Sequence, residues 1–182
     1  MPCDPLELSR KAAGIRLLLF DVDGVLTDGR VLVHQDGTES KQFGIRDGTA
    51  LVWAQRAGIP VGLISGRQSA ATSVRAAQLG IGIVRQAATD KLQLLGEVLL
   101  GQRLEPGQAA FMGDDLLDLP VLSRVGLSAA PADAAPEVIA RVDWVSSRPG
   151  GGGAARELVE LVLRAQGRWD DLVRGFLPDD AP

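Results

Sequence analysis

The sequence holds a single cysteine, Cys3, in 182 residues. A disulfide framework and a cysteine-built zinc site are therefore both excluded. Tyrosine is absent and aromatics make up only 4%, so a base-stacking platform for nucleic acid is not expected. No apolar run reaches 18 residues, so no helix is expected to span a membrane. The opening segment MPCDPLELSRKAAG has no apolar signal core, and the expected compartment is the cytoplasm. Basic charge is not in excess either. Lys+Arg is 19 against Asp+Glu 23, a net charge of −4, which makes a poor general binder of nucleic acid.

What is present is a globular composition, 46% hydrophobic and 23% charged. The length suits one domain. Area scaling for this size implies that about 70% of the unfolded surface is buried, enough for a core without staples. Residues 1–13 read as a loose polar lead-in, 14–168 as the main domain, and 169–182 as a tail. Ile15 to Phe20 is a continuous apolar run, too short for a typical helix, and fits a strand buried on both faces. Two extended runs flank Asp36-Gly37 and predict a hairpin over 29–43. Asp47 is expected to cap a helix that stops at Gly58 and Pro60. Pro60–Ser65, Ile81–Val84, Ala109–Met112, Gly126–Ala129 and Asp143–Val145 read as strands, with helices between most of them. A cap at Thr89 or Asp90 and a helix opened by Asp114 are expected, and GGGG (150–153) leads into a last helix, Ala154 to Gln166. This alternation predicts an α/β, three-layer, Rossmann-like parallel sheet with helices on both faces and a small β-hairpin. Ligands of such sheets bind beyond the carboxyl ends of the strands.

Those ends carry chemistry. Asp21 and Asp23 follow the first strand, an anionic pair that asks for a cation. Mg²⁺, a hard ion with oxygen ligands, suits it. Ser65, Gly66 and Arg67 follow the next strand and suit a phosphate. Lys91 opens a helix, and Asp114, Asp115 and Asp118 follow Ala109–Met112. Acids, a lysine and a hydroxyl together make a kit for Mg²⁺-assisted phosphoryl transfer. Singly, each has a plain reading as a turn, a helix cap or a surface charge. Their joint occurrence in order is far harder to obtain by chance.

With FDVDG (20–24), Ser65, Lys91 and GDDLLD (113–118), the chain resembles the haloacid dehalogenase superfamily of aspartate-nucleophile phosphatases. The longer stretches DVDGVLTDG, IRDG, ISGR, LGI, GDDLLDLPVL and VGLSAAPADA are similar to the 3-deoxy-D-manno-octulosonate 8-phosphate (KDO 8-phosphate) phosphatase family of lipopolysaccharide synthesis. The resemblance covers roughly 14–168. It implies Asp21 as nucleophile, Asp23 as acid and base, and Mg²⁺ on the Asp21 and Asp114 side chains and the Asp23 carbonyl. It implies phosphoryl contacts from Ser65 and the amides near Asp23 and Gly24, and charge compensation by Lys91. Asp118 is then expected to orient Lys91 or a metal-bound water, with Asp115 in support.

Only 41 residues separate Asp23 from Ser65 and 25 separate Ser65 from Lys91, which leaves no room for a cap domain. The hairpin is the only candidate cover. Its apolar Val31 and Val33 need burial, and a lone hairpin is marginally stable. The resemblance implies a homotetramer whose neighbours close each site. Arg67, Arg46 and more weakly Arg75 are candidates for the sugar carboxylate, because guanidinium pairs with carboxylate bidentately. Related enzymes for a nine-carbon nonulosonate 9-phosphate carry an acid in place of Arg67, which favours the octulosonate. The family reads GGRG where this chain has Gly152, so Arg148 or Arg156 substitutes or the tail contact is lost. GGGG reads either as a plain flexible connection or as a mobile loop that moves the C-terminal segment over a site. His34 reads as a surface residue, and Trp53, Trp144 and Trp169 as packing. The alternatives are a nonulosonate phosphatase, a phospho-receiver domain and a non-catalytic oligomerisation domain.

Overall fold

The apolar run after Gly14 forms strand β1 (Leu17–Phe20), buried along its whole length. In the computed structural model, which describes residues 4–178, the remaining strands are β2 (Leu32–Val33), β3 (Glu39–Ser40), β4 (Val61–Ile64), β5 (Ile83–Arg85), β6 (Ala109–Met112), β7 (Leu127–Ala130) and β8 (Trp144–Val145). The helices are α1 (Pro5–Ala13), α2 (Ile45–Arg56), α3 (Ala70–Gln78), α4 (Lys91–Gln102), α5 (Leu119–Leu122), α6 (Pro136–Ile139), α7 (Ala154–Ala165) and α8 (Trp169–Arg174). Six strands form one sheet in the order β5-β4-β1-β6-β7-β8, and every neighbouring pair is parallel. The chain winds from β1 outward to β5, then returns to β6 on the other side. The switch point therefore falls at the carboxyl end of β1, where a crevice opens.

Alternation along β1 sorts its side chains between two helix layers. Leu18 and Phe20 join a cluster with Leu51 of α2 and Leu158 and Val162 of α7. Leu17 and Leu19 join another with Leu95 and Leu99 of α4 and Val121 of α5. This is the three-layer α/β architecture expected from the alternation of elements. The hairpin forms too, with Leu32 opposite Ser40 and Val33 opposite Glu39.

Several local expectations are corrected. Residues 5–13 are not a loose lead-in but helix α1. Asp4 caps it by accepting from the Leu6 N–H at 2.9 Å, and Pro5 fits its first turn, where no N–H is needed. Its Ala12 is buried, and Gln166 donates to the carbonyl of Ile15 at 2.7 Å just beyond it. Asp47 does not cap its own helix, which starts two residues earlier at Ile45. It caps α7 instead, accepting from Gly153 N–H at 3.0 Å and Arg156 N–H at 2.9 Å. Burial pushes its carboxyl up, against those amide bonds. Asp115, not Asp114, caps the short turn at Leu116–Asp118. Cys3 and residues 179–182 of the tail lie outside the described residues.

Candidate active site

The carboxyl ends of β1, β4 and β6 and the start of α4 converge on one cleft of about 280 Å³. Its walls include Asp21 and Asp23 after β1, Ser65, Gly66 and Arg67 after β4, Lys91 at the start of α4, and Asp114, Asp115 and Asp118 after β6. Parallel pairing fixes these ends side by side. Phe20 sits opposite Leu63 and Met112, and the Asp21 N–H donates to the Met112 carbonyl at 2.9 Å. Asp90 caps α4 through the amides of Leu92 and Gln93, which aims Lys91 back at β1.

Lys91 is the centre of the charge arrangement. Its Nζ donates to Asp21 Oδ1 at 2.8 Å and to Asp118 Oδ1 at 2.6 Å, all three groups being buried. Asp118 uses its second oxygen on the amides of Asp114, at 3.0 Å, and Asp115, at 3.3 Å. Both oxygens of Asp118 are thus engaged, so its part is to hold Lys91 and the turn. Burial pushes the Asp21 carboxyl up to about 6, with Lys91 opposing. Burial, then the charges of Asp21, Asp118 and Asp115, push Asp114 up to about 7. Burial acts to lower Lys91, but Asp21 and Asp118 outweigh it and hold the ammonium above its ordinary value.

Three carboxylates against one lysine leave this corner short of positive charge. One oxygen each of Asp21, Asp114 and Asp118 lies within 4.8 Å of the others. No hydrogen bond or ion pair reaches the Asp114 carboxylate among the described residues. An all-oxygen, acid-rich donor set of this kind fits a hard divalent cation, with the Asp114 and Asp21 carboxylates as its side-chain ligands. Gly24 permits the arrangement. At φ +87 its backbone lies so close to Asp114 that a Cβ would fall 2.0 Å from Oδ2.

Sequence reasoning missed one residue of this site. Lys41, just past β3, is an ordinary lysine in the sequence ESKQF. In the fold its side chain is fully buried and its Nζ lies 2.7 Å from Asp23 Oδ1 and 2.9 Å from Oδ2. Arg67 is also taken up by the hairpin. It donates to Glu39 Oε2 at 2.8 Å, and its Nε lies 3.8 Å from Asp23.

Other expected site residues stand elsewhere. Arg46 is exposed and lines a separate groove with Arg148 and Arg156. Arg75 lies over Gly48 of α2 and bonds Gln78, away from the cleft. Gly24 turns its N–H to Thr27 Oγ1 at 3.3 Å, so in this geometry that amide is not aimed at a phosphate. Arg148 pairs with Glu157 at 3.7 Å and Arg156 with Glu160 at 2.7 Å, so neither stands in the cleft for the absent arginine at Gly152. The GGGG run is not a loose connection. Gly151 N–H donates to the Val25 carbonyl at 2.9 Å, and a Cβ at Gly150 would fall 1.9 Å from the Gly24 carbonyl oxygen. Its glycines let it press against the loop that carries Asp23. Among the described residues, no helix is long and apolar enough to cross a membrane.

No family model matches the chain. Relatives do. It is 44% identical over 165 residues, 91% of this chain and 88% of the relative, to the 3-deoxy-D-manno-octulosonate 8-phosphate phosphatase of Escherichia coli strain K12. Its fold is similar to the crystal structure of the phosphatase of that name from Moraxella catarrhalis, in complex with magnesium ion, phosphate ion and KDO. The TM-score is 0.93 at 35% identity, over 96% of this chain and 100% of that one. The corresponding Yersinia pestis structure gives a TM-score of 0.89 at 40% identity, over 90% and 89% of the two chains.

Proposed function

This chain belongs to the 3-deoxy-D-manno-octulosonate 8-phosphate phosphatase family of the haloacid dehalogenase superfamily, and on that footing we propose that it hydrolyses KDO 8-phosphate to KDO and inorganic phosphate in lipopolysaccharide biosynthesis. The observation that carries this reading is the buried Lys91–Asp21 pair beside the unpaired Asp114 carboxylate at the switch point of the sheet. In it, Asp21 attacks phosphorus in line and forms an aspartyl-phosphate while the sugar oxygen leaves. Asp23 gives that oxygen its proton, then takes one from the water that hydrolyses the acyl phosphate. The Ser65 hydroxyl and the backbone at Gly66 receive phosphoryl oxygens. Lys91, held by Asp118, offsets charge on both the nucleophile and the phosphate. The Asp21 and Asp114 carboxylates and the Asp23 carbonyl would hold Mg²⁺, which would screen one anion from the other and stabilise the transferring group. Arg67 reads the sugar carboxylate. The catalytic unit is residues 14–168, with the hairpin 29–43. We keep with this reading a cytoplasmic location, to which a chain with one cysteine is suited.

The test is a phosphate-release panel over eight- and nine-carbon keto-acid phosphates and generic sugar phosphates, with Mg²⁺ or with chelator. The expected result is turnover concentrated on KDO 8-phosphate and lost in chelator. Equal rates on generic sugar phosphates overturn the substrate assignment, and a nine-carbon preference moves it to the nonulosonate.

We also infer a homotetramer. Leu32 and Val33 of the hairpin stay 64% and 70% exposed, and Leu117 on the rim of the cleft 73%. Apolar groups so placed favour association. Light scattering is expected to give four times the chain mass of 19.1 kDa, and a monomeric mass defeats the inference.

A further inference from the structure

The hairpin brings more than cover to the cleft. Glu39 and Lys41 stand two residues apart at the end of β3, so both point to the same side. On that side they meet Arg67 and Asp23, giving four charges of alternating sign. Glu39 pairs with Arg67 at 2.8 Å, Arg67 approaches Asp23 at 3.8 Å, and Lys41 Nζ donates to Asp23 Oδ2 at 2.9 Å while lying 2.7 Å from Oδ1, a buried oxygen with no hydrogen bond of its own among the described residues. The Lys41 side chain is fully buried, whereas that of Arg67 is half exposed. Burying an ammonium is costly unless it is paired, and its nearest partner is the Asp23 carboxylate, with Glu39 at 3.9 Å. A hydrogen bond to one oxygen within so close an ion pair restrains the orientation of that carboxylate as well as its position. A proton-transfer group must be placed closely against the atom it serves.

From this geometry we infer that Lys41 is a positioning residue for Asp23. It holds the acid/base carboxylate in the orientation that reaches the leaving oxygen and the hydrolytic water. The inference rests on the acid/base reading of Asp23 given above. It also assigns the hairpin a part in its own subunit's chemistry, separate from any part in association.

A double-mutant cycle tests it, with KDO 8-phosphate and Mg²⁺. Lys41→Met is expected to lower kcat by about 10- to 100-fold with KM changed less than about threefold, since positioning acts on the chemical step. Asp23→Asn is expected to lower kcat by about 10²- to 10⁴-fold. The double variant is expected to match Asp23→Asn alone within about threefold, because Lys41 acts only through that carboxylate. Lys41→Gln, which keeps a donor without the charge, is measured beside Lys41→Met, with circular dichroism for both, so that a folding defect in one leaves the other to decide. If Lys41 replacement lowers kcat as much in the Asp23→Asn background as in the parent, or hardly at all in the parent, the inference is overturned. If Asp23→Asn itself turns over near the parent rate, the acid/base reading fails, and that result is distinct from the others.

Discussion

Asp21→Asn is expected to lower turnover by about 10⁴-fold or more while the protein keeps its fold. At about 1.4 kcal/mol per tenfold, that is about 5 kcal/mol or more of transition-state stabilisation. The size follows from the chemistry. An amide oxygen does not form the acyl phosphate, and neither Asp118 nor Asp114 can replace it. Asp118 spends both oxygens on Lys91 and on two backbone amides. Asp114 hangs from a different strand and, in the proposed reading, serves the cation. The fold survives because Asn fills the same space and Lys91 keeps Asp118 at 2.6 Å. Stability has a sign as well. The unfolded chain releases the Asp21 proton near pH 3.8, the folded one only near 6. The folded state is therefore penalised as pH rises through that window, and fully above it. Removing the charge lifts the penalty, so metal-free Asp21→Asn at pH 7.5 is expected to melt no lower than the parent. Calorimetry in chelator and a phosphate-release assay check the two halves. A variant that melts normally and still releases phosphate at the parent rate would remove Asp21 from the nucleophile's place.

The sequence carried this centre openly because a buried parallel strand ends where its chemistry begins. Leu17–Phe20 has no polar residue, so Asp21 marks the strand's edge without ambiguity, and Met112-Gly113-Asp114 repeats the pattern. What reads off one strand or helix end is local, and three strand ends and the start of α4 meet in one cleft. The errors share a different origin. Asp47 looks like a cap for the helix that contains it, yet its partners lie more than a hundred residues away at the start of α7. GGGG looks loose, because close approach to another loop leaves no trace in its own composition. Arg46 and Arg75 satisfy the chemistry of a carboxylate binder but sit on helix faces turned from the cleft. Lys41 was missed for the reverse reason. Nothing in ESKQF separates a buried lysine from a solvated one, and only the docking of the hairpin makes it so.

Lys91→Met is expected to damage stability and activity together, and the pH dependence tells how. The lysine contributes in full at neutral pH, because its folded value is held above the ordinary 10.5 and the loss begins only as pH rises through it. Its removal leaves Asp21 and Asp118 facing a thioether in a buried site. Breaking a buried pair from one side costs about 3–5 kcal/mol, since the remaining charge is uncompensated. For a domain of this size that lowers the melting temperature by on the order of 10 °C. The deficit is expected to shrink as pH falls. Asp21 titrates near 6 even with Lys91 beside it, and without that ammonium its carboxyl moves higher, so protonation relieves the repulsion more fully at pH 5 than at pH 8. Turnover is expected to fall by about 10²- to 10³-fold, as for loss of one preorganised charge at a transferring group. Thermal unfolding in chelator at the two pH values, with phosphate release measured at the higher, checks all three. An equal deficit at pH 5 and pH 8 would mean that Lys91 is valued for its packing, and the charge account of the cleft would have to be given up.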